Sequence, residues 1–116
     1  MRLEFTYLPT QDLAASLQLY RDTLGFDELW REGDHTVGLA VPGTDVALMI
    51  DAAAPPDWGP GPMFGVDRVT EFRAAHDGLE VVSEPQEIPG GMLMALRDPG
   101  GNLVYVLDQS ADAGAG

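Results

Sequence analysis

Arg97-Asp98-Pro99-Gly100-Gly101-Asn102-Leu103-Val104-Tyr105-Val106-Leu107-Asp108 reads as the end of one strand, a tight turn and a second strand. Pro99 presets φ near the turn value, Gly100 and Gly101 enter positive φ at little cost, and Asn102 tolerates it. Leu103, Tyr105 and Leu107 alternate with Val104 and Val106, so both faces of the strand are largely apolar. A similar piece occurs earlier, Pro42-Gly43-Thr44-Asp45-Val46-Ala47-Leu48-Met49-Ile50-Asp51. A shift of 57 residues lays Pro42, Gly43 and Asp51 on Pro99, Gly100 and Asp108, and Leu48 on Tyr105. The chain reads as a duplicated unit.

Working outward, each copy has the same plan. In the first, Arg2 to Leu8 alternate as a strand, with Leu3, Phe5 and Tyr7 on one face. Pro9 ends it. Thr10 or Asp12 can cap a helix carrying Leu13, Leu17, Tyr20 and Leu24, stopped by Gly25. Three strands follow, at 26–31, 35–41 and 45–50. In the second copy 63–66 is a strand, and Asp67 or Thr70 opens a shorter helix through Phe72, Ala74 and Ala75 that stops at Gly78. Strands at 79–82, 92–97 and 103–107 complete it, with 83–91 as a loop. This gives an α+β chain of two βαβββ units, about 2–51 and 62–108. A proline- and glycine-rich linker at 52–61 joins them, and a small polar tail occupies 109–116.

The 116 residues make one domain. No apolar run approaches the length that spans a bilayer, no signal-like start is present, and there is no cysteine, so the expected location is the cytoplasm. Nineteen acids against six bases, all arginine, set the net charge at −13. Phosphate backbones are repelled by such a surface, which argues against nucleic acid, and a cationic small molecule is attracted; the same charge also serves solubility.

The two βαβββ units, the helix Asp12-Leu13-Ala14-Ala15-Ser16-Leu17-Gln18-Leu19-Tyr20-Arg21-Asp22-Thr23-Leu24-Gly25-Phe26 and the closing Asp98-Pro99-Gly100-Gly101-Asn102 together resemble the vicinal oxygen chelate superfamily. That superfamily holds glyoxalase I, extradiol dioxygenases, fosfomycin resistance enzymes and bleomycin resistance proteins. The resemblance implies an open, curled half-barrel sheet with outer helices, a ligand in the concavity, and a homodimer. In metal-using members the ligands lie on the inward face of the first and last strand of each unit. Carried over by motif and by the shift of 57, those positions hold Phe5, Leu48, Pro62 and Tyr105. Phenylalanine, leucine and proline offer a divalent ion nothing, and a phenol is a poor ligand, so neither metal nor cofactor is expected.

The resemblance then points to the metal-free branch, whose members sequester a drug in an aromatic-lined groove. Candidate ligand contacts are Phe5, Tyr7, Leu48, Pro62 and Tyr105, with Met92 and Met94 as adaptable thioethers. Trp30 and Trp58 supply flat faces, and Gly38 leaves room in mid-strand. His35 opens a strand after Gly33-Asp34 and is a further candidate ligand contact; His76 reads as a helix-end residue, and Arg97 as an ion-pair partner. The expected function is a small-molecule binding protein for an aromatic or polycyclic, antibiotic-like ligand with a cationic part. The alternative is a metal-independent enzyme of isomerase, cyclase or lyase type, with Tyr105, Tyr7 or His35 in acid–base roles. No His–acid constellation is visible in the sequence, which ranks the enzyme second.

Overall fold

Apolar side chains at positions 8, 13, 17, 20, 26, 37, 39, 48 and 50 converge on one core, and this convergence orients the first half of the chain. In a computed structural model, residues 1–110 are described. The contacts divide the chain into Glu4–Pro60 and a second unit formed by Gly61 onward together with Met1–Leu3. From residue 111 on, the expected polar tail lies outside the described residues.

In the first unit β1 (Arg2–Pro9) is followed by helix α1 (Leu13–Leu17), then β2 (Glu28–Glu32), β3 (Thr36–Ala40) and β4 (Ala47–Asp51). Asp12 caps α1, its carboxylate accepting from the Ala15 N–H at 3.0 Å. The helix does not run on as α to Leu24: Gln18–Thr23 form a π-helical segment, with Leu24 N–H donating to Leu19 C=O at 2.9 Å. That wider turn rotates Leu24 off the core stripe, leaving it 51% exposed while Leu17 is 5% exposed. The strand order is β2-β3-β4-β1, with β1 and β4 parallel and the other pairs antiparallel.

The second unit repeats this with β5 (Gly61–Gly65), helix α2 (Val69–Ala75), β6 (Glu80–Ile88), β7 (Gly91–Arg97) and β8 (Leu103–Leu107). Its order, β6-β7-β8-β5, with β5 and β8 parallel, copies the first. The α+β class and the duplicated plan are therefore those expected. One element is longer than expected: 83–88 continue as strand β6 instead of looping. Pro85 is tolerated because β6 is the last strand of its order and its register shifts between Ser83 and Gln86, so no inner ladder needs its missing N–H.

Neither Asp67 nor Thr70 caps α2. The cap residue is Arg68, which contributes no side-chain bond; the Asp108 carboxylate instead accepts from the Val69 N–H at 2.7 Å. Val69, Met94 and Val106 form the core beneath α2, with Val66, Phe72, Val81, Met92 and Leu96 around them. In the closing turn Asp98 accepts from the Asn102 N–H at 2.8 Å, and these donors hold its carboxyl below the ordinary range. Gly101 takes φ of 88°, as its place in the turn demands. Among the described residues no helix is long and apolar enough to cross a membrane.

Candidate functional site

Because strand residues alternate between faces, the helix-side cores assign the opposite face of each unit. Leu8, Val37, Leu39, Leu48 and Ile50 belong to the core under α1. Phe5, Tyr7, Trp30, Thr36, Gly38, Met49 and Asp51 therefore share the helix-free face. Phe5 and Trp30 meet edge to face, with ring centroids 6.0 Å apart at 89°. Gly38 pairs with Trp30 across β3 and β2, and a Cβ at Gly38 would collide with the indole. The space left by that glycine is thus filled by Trp30 itself and not open to a ligand. Phe5 and Trp30 remain half-buried, so part of the pair is accessible. Tyr7 is 1% exposed, and Trp58, 8% exposed, packs against it at 6.0 Å and 71°. The proline-rich stretch is held down by that tryptophan.

In the second unit Met92 and Met94 join the core under α2. They face the helix and line no helix-free surface. Tyr105, fully buried, lies on the opposite face with its register partners Met63 and Ala95. Gly61 abuts it: a Cβ there would lie 3.4 Å from Tyr105 Cε2.

The shift of 57 is one residue too long for the paired parallel strands. Thr10 N–H donates to Asp51 C=O as Val66 N–H donates to Leu107 C=O, Asp12 and Arg68 occupy the cap positions, and Tyr7–Met49 pairs as Met63–Tyr105 does. Each comparison gives a shift of 56. The β7–β8 connection, residues 98–102 between Arg97 and Leu103, is one residue shorter than 41–46 between Ala40 and Ala47. Matching turn to turn therefore slips the following strand by one, which moves every side chain to the other face. Leu48 accordingly lies in the α1 core, and the partner of Tyr105 in the repeat is Met49. Likewise Phe5 corresponds to Gly61 and not to Pro62.

The corrected positions, Phe5, Met49, Gly61 and Tyr105, offer one thioether and one phenol, which do not fit a divalent metal centre. Among the described residues no group of three or more His, Cys, Asp or Glu side chains is placed to hold a metal ion.

A polar cluster that the sequence did not reveal lies on the same sheet face as the aromatic pair. Asp51 accepts from the Tyr7 hydroxyl through Oδ2, and through Oδ1 from the Thr36 hydroxyl at 3.0 Å and the Ala53 N–H at 2.9 Å. His35 Nδ1 lies 2.6 Å from Thr36 Oγ1 and 4.0 Å from Asp51 Oδ1. A His–Thr–Asp–Tyr chain is thus present where no His–acid constellation was expected. Asp51 and Thr36 were missed because they are distant in sequence and meet only through the β3–β4 register, Thr36 opposite Asp51. The alternation of Met49 and Asp51 behind a strand was the available signal. His76, at the end of α2, bonds the Phe72 C=O at 2.8 Å and packs on the Phe72 ring. Arg97 pairs with Glu80 at 3.2 Å and donates to Gly101 C=O.

The profile of the Glyoxalase/Bleomycin resistance protein/Dioxygenase superfamily matches residues 2–106, and the chain belongs to that superfamily. No curated protein matches the sequence. Among solved structures, methylmalonyl-CoA epimerase from Mycobacterium tuberculosis is similar at 21% identity, TM-score 0.67, covering 99% of this chain and 92% of its own. The Streptomyces coelicolor methylmalonyl-CoA epimerase in complex with 2-nitronate-propionyl-CoA gives 20% identity, TM-score 0.73 and 96% coverage of both chains. A superfamily member from Vibrio splendidus 12B01 gives 19% identity, TM-score 0.61, and coverage of 90% and 95%. At these identities the likeness concerns the fold.

Proposed function

We propose that this protein binds a planar aromatic small molecule without a metal, sequestering an antibiotic-like compound. The observation that carries this is the half-buried Phe5–Trp30 pair, set edge to face on the helix-free side of its unit. A half-buried ring pair on a strand surface offers stacking and apolar burial to a flat ligand. The charge of −13 favours a ligand with a cationic part and disfavours nucleic acid. A homodimer in the cytoplasm is part of the same reading, supported by the family resemblance and by the absence of cysteine.

Titration with acridine orange, a planar cation, tests it. Saturable quenching of tryptophan fluorescence is expected, with the compound recovered unaltered by mass spectrometry and native mass spectrometry showing a dimer with bound dye. Trp30→Ala and Phe5→Ala each weaken binding about tenfold, the loss of one good aromatic contact. Unchanged affinity in both variants sinks the assignment of this face.

A second reading, a metal-independent enzyme, is favoured by one observation, the hydrogen-bonded chain from His35 through Thr36 to Asp51 and Tyr7. The solved structures similar in fold include epimerases, which keeps catalysis in view. Conversion of a bound compound, in place of its unaltered recovery, decides for the enzyme.

A further inference from the structure

We propose that His35 is a proton acceptor acting through Nε2 on an acidic hydroxyl of the bound aromatic molecule, so that phenols and hydroxylated polycycles are the ligand class. This rests on the reading of the Phe5–Trp30 face as the binding surface.

The argument begins with hydrogen counting. A carboxylate only accepts, so the Thr36 hydroxyl, 3.0 Å from Asp51 Oδ1, spends its single hydrogen there. Thr36 Oγ1 can then only accept from His35 Nδ1, 2.6 Å away. Neutral His35 is thereby held with its hydrogen on Nδ1 and its lone pair on Nε2. The other carboxylate oxygen is engaged by the Tyr7 hydroxyl, and Ala53 N–H completes the set, so Asp51 is fixed in place. No described residue hydrogen-bonds to His35 Nε2. The ring lies against the backbone at Gly33, where φ is 57° and a Cβ would come within 3.2 Å of Nε2. The His35 side chain is 43% exposed and that of Asp51 15%, so the imidazole is partly open while the carboxylate behind it is sheltered.

Thr36 stands two residues from Gly38 on β3, and Gly38 carries the Trp30 indole. His35 immediately precedes β3, so a ligand that stacks at Trp30 and extends along the strand past Thr36 would bring its hydroxyl to Nε2. In the step, the ligand O–H bond breaks, its electron pair stays on oxygen, and the proton forms a bond to Nε2. Nδ1–H still donates to Thr36 and Thr36 to Asp51 afterwards, so the carboxylate orients the histidine base through the hydroxyl before and after the transfer.

Two measurements test this. In the free protein, imidazole nitrogen NMR is expected to find His35 protonated at Nδ1. Thr36→Val shifts it to the Nε2-protonated form, and Thr36→Ser restores Nδ1. His35 protonated at Nε2 in the wild type, or a tautomer indifferent to Thr36→Val, overturns the proposal. With 4-nitrophenol as probe, near the midpoint of its own ionisation, the bound phenolate-to-phenol ratio rises about tenfold over the free probe. His35→Gln removes that rise in the fraction of probe that still binds. Quenching without a phenolate gain overturns proton acceptance and leaves the aromatic-face reading standing. No quenching counts against the aromatic face, and the tautomer then judges His35 alone.

Discussion

Asp108 is 3% exposed, and burial by itself pushes its carboxyl up. The Val69 N–H, the Ser110 N–H and hydroxyl, and the Met92 N–H outweigh that cost and hold it below the ordinary carboxylate range. A folded-state value below the unfolded one means that its stabilisation is complete above the unfolded value near about 4, and is lost as pH falls through the folded value. Asp108→Asn is therefore expected to cost about 1–3 kcal/mol at neutral pH, because Val69 and Met92 lose a charged acceptor. It also flattens the acid limb of the stability curve; urea midpoints at neutral and acidic pH measure both. Gly38→Ala carries a second expectation. A methyl there meets the Trp30 ring, so the indole must leave the strand, costing about 1–3 kcal/mol with a changed tryptophan emission. Wild-type emission and stability in that variant contradict the stated seat of Trp30. Of these features, the Asp98-Pro99-Gly100-Gly101-Asn102 turn was legible in the sequence, since turn chemistry is local. The bonding of Asp51 and Asp108 was not. The two acids look equivalent in sequence, yet Asp51 gathers Tyr7 and Thr36 whereas Asp108 serves the start of α2.

The helices and strands were legible from period and punctuation wherever the backbone follows its local preference. Leu13, Leu17 and Tyr20 do pack as a stripe. Leu24 does not, because Gln18–Thr23 close as a π-helical segment that no residue type in the stretch announces. Leu17→Ala should cost about 2–5 kcal/mol in urea unfolding, whereas Leu24→Ala should stay within about 0.5 kcal/mol. Equal costs would place Leu24 in the core and contradict the π-helical turn. In β6 the proline and two register shifts disguised a strand as a loop. Propensity penalises Pro85, but an outermost strand has no ladder on its far side for the missing N–H to break.

Over the whole molecule, nineteen acids and six arginines leave strong self-repulsion in the folded state. Arginine pairs such as Arg73–Glu84 at 2.9 Å and Arg31–Glu28 at 2.8 Å lie at the surface and relieve little of it. Raising sodium chloride from about 0.01 M to about 0.5 M shortens the Debye length from about 30 Å to below 8 Å and should raise Tm by a few degrees. A Tm that falls with salt would mean that ion pairs dominate repulsion. The sequence by itself determined the α+β class, the duplicated βαβββ plan, the family, and the acidic, cysteine-free surface, because periodicity, turn residues and charge are summed over many positions and tolerate local error. That Leu48, Met92 and Met94 face the helices was decided only by the tertiary structure. One residue of difference between the two hairpin connections turns Leu48 into the α1 core and brings Met49 opposite Tyr7. Only the β3–β4 register brings Thr36 to Asp51 and so joins His35 to Tyr7. A strand's side chains repeat every two residues, so a one-residue slip that barely alters a sequence match inverts the whole face.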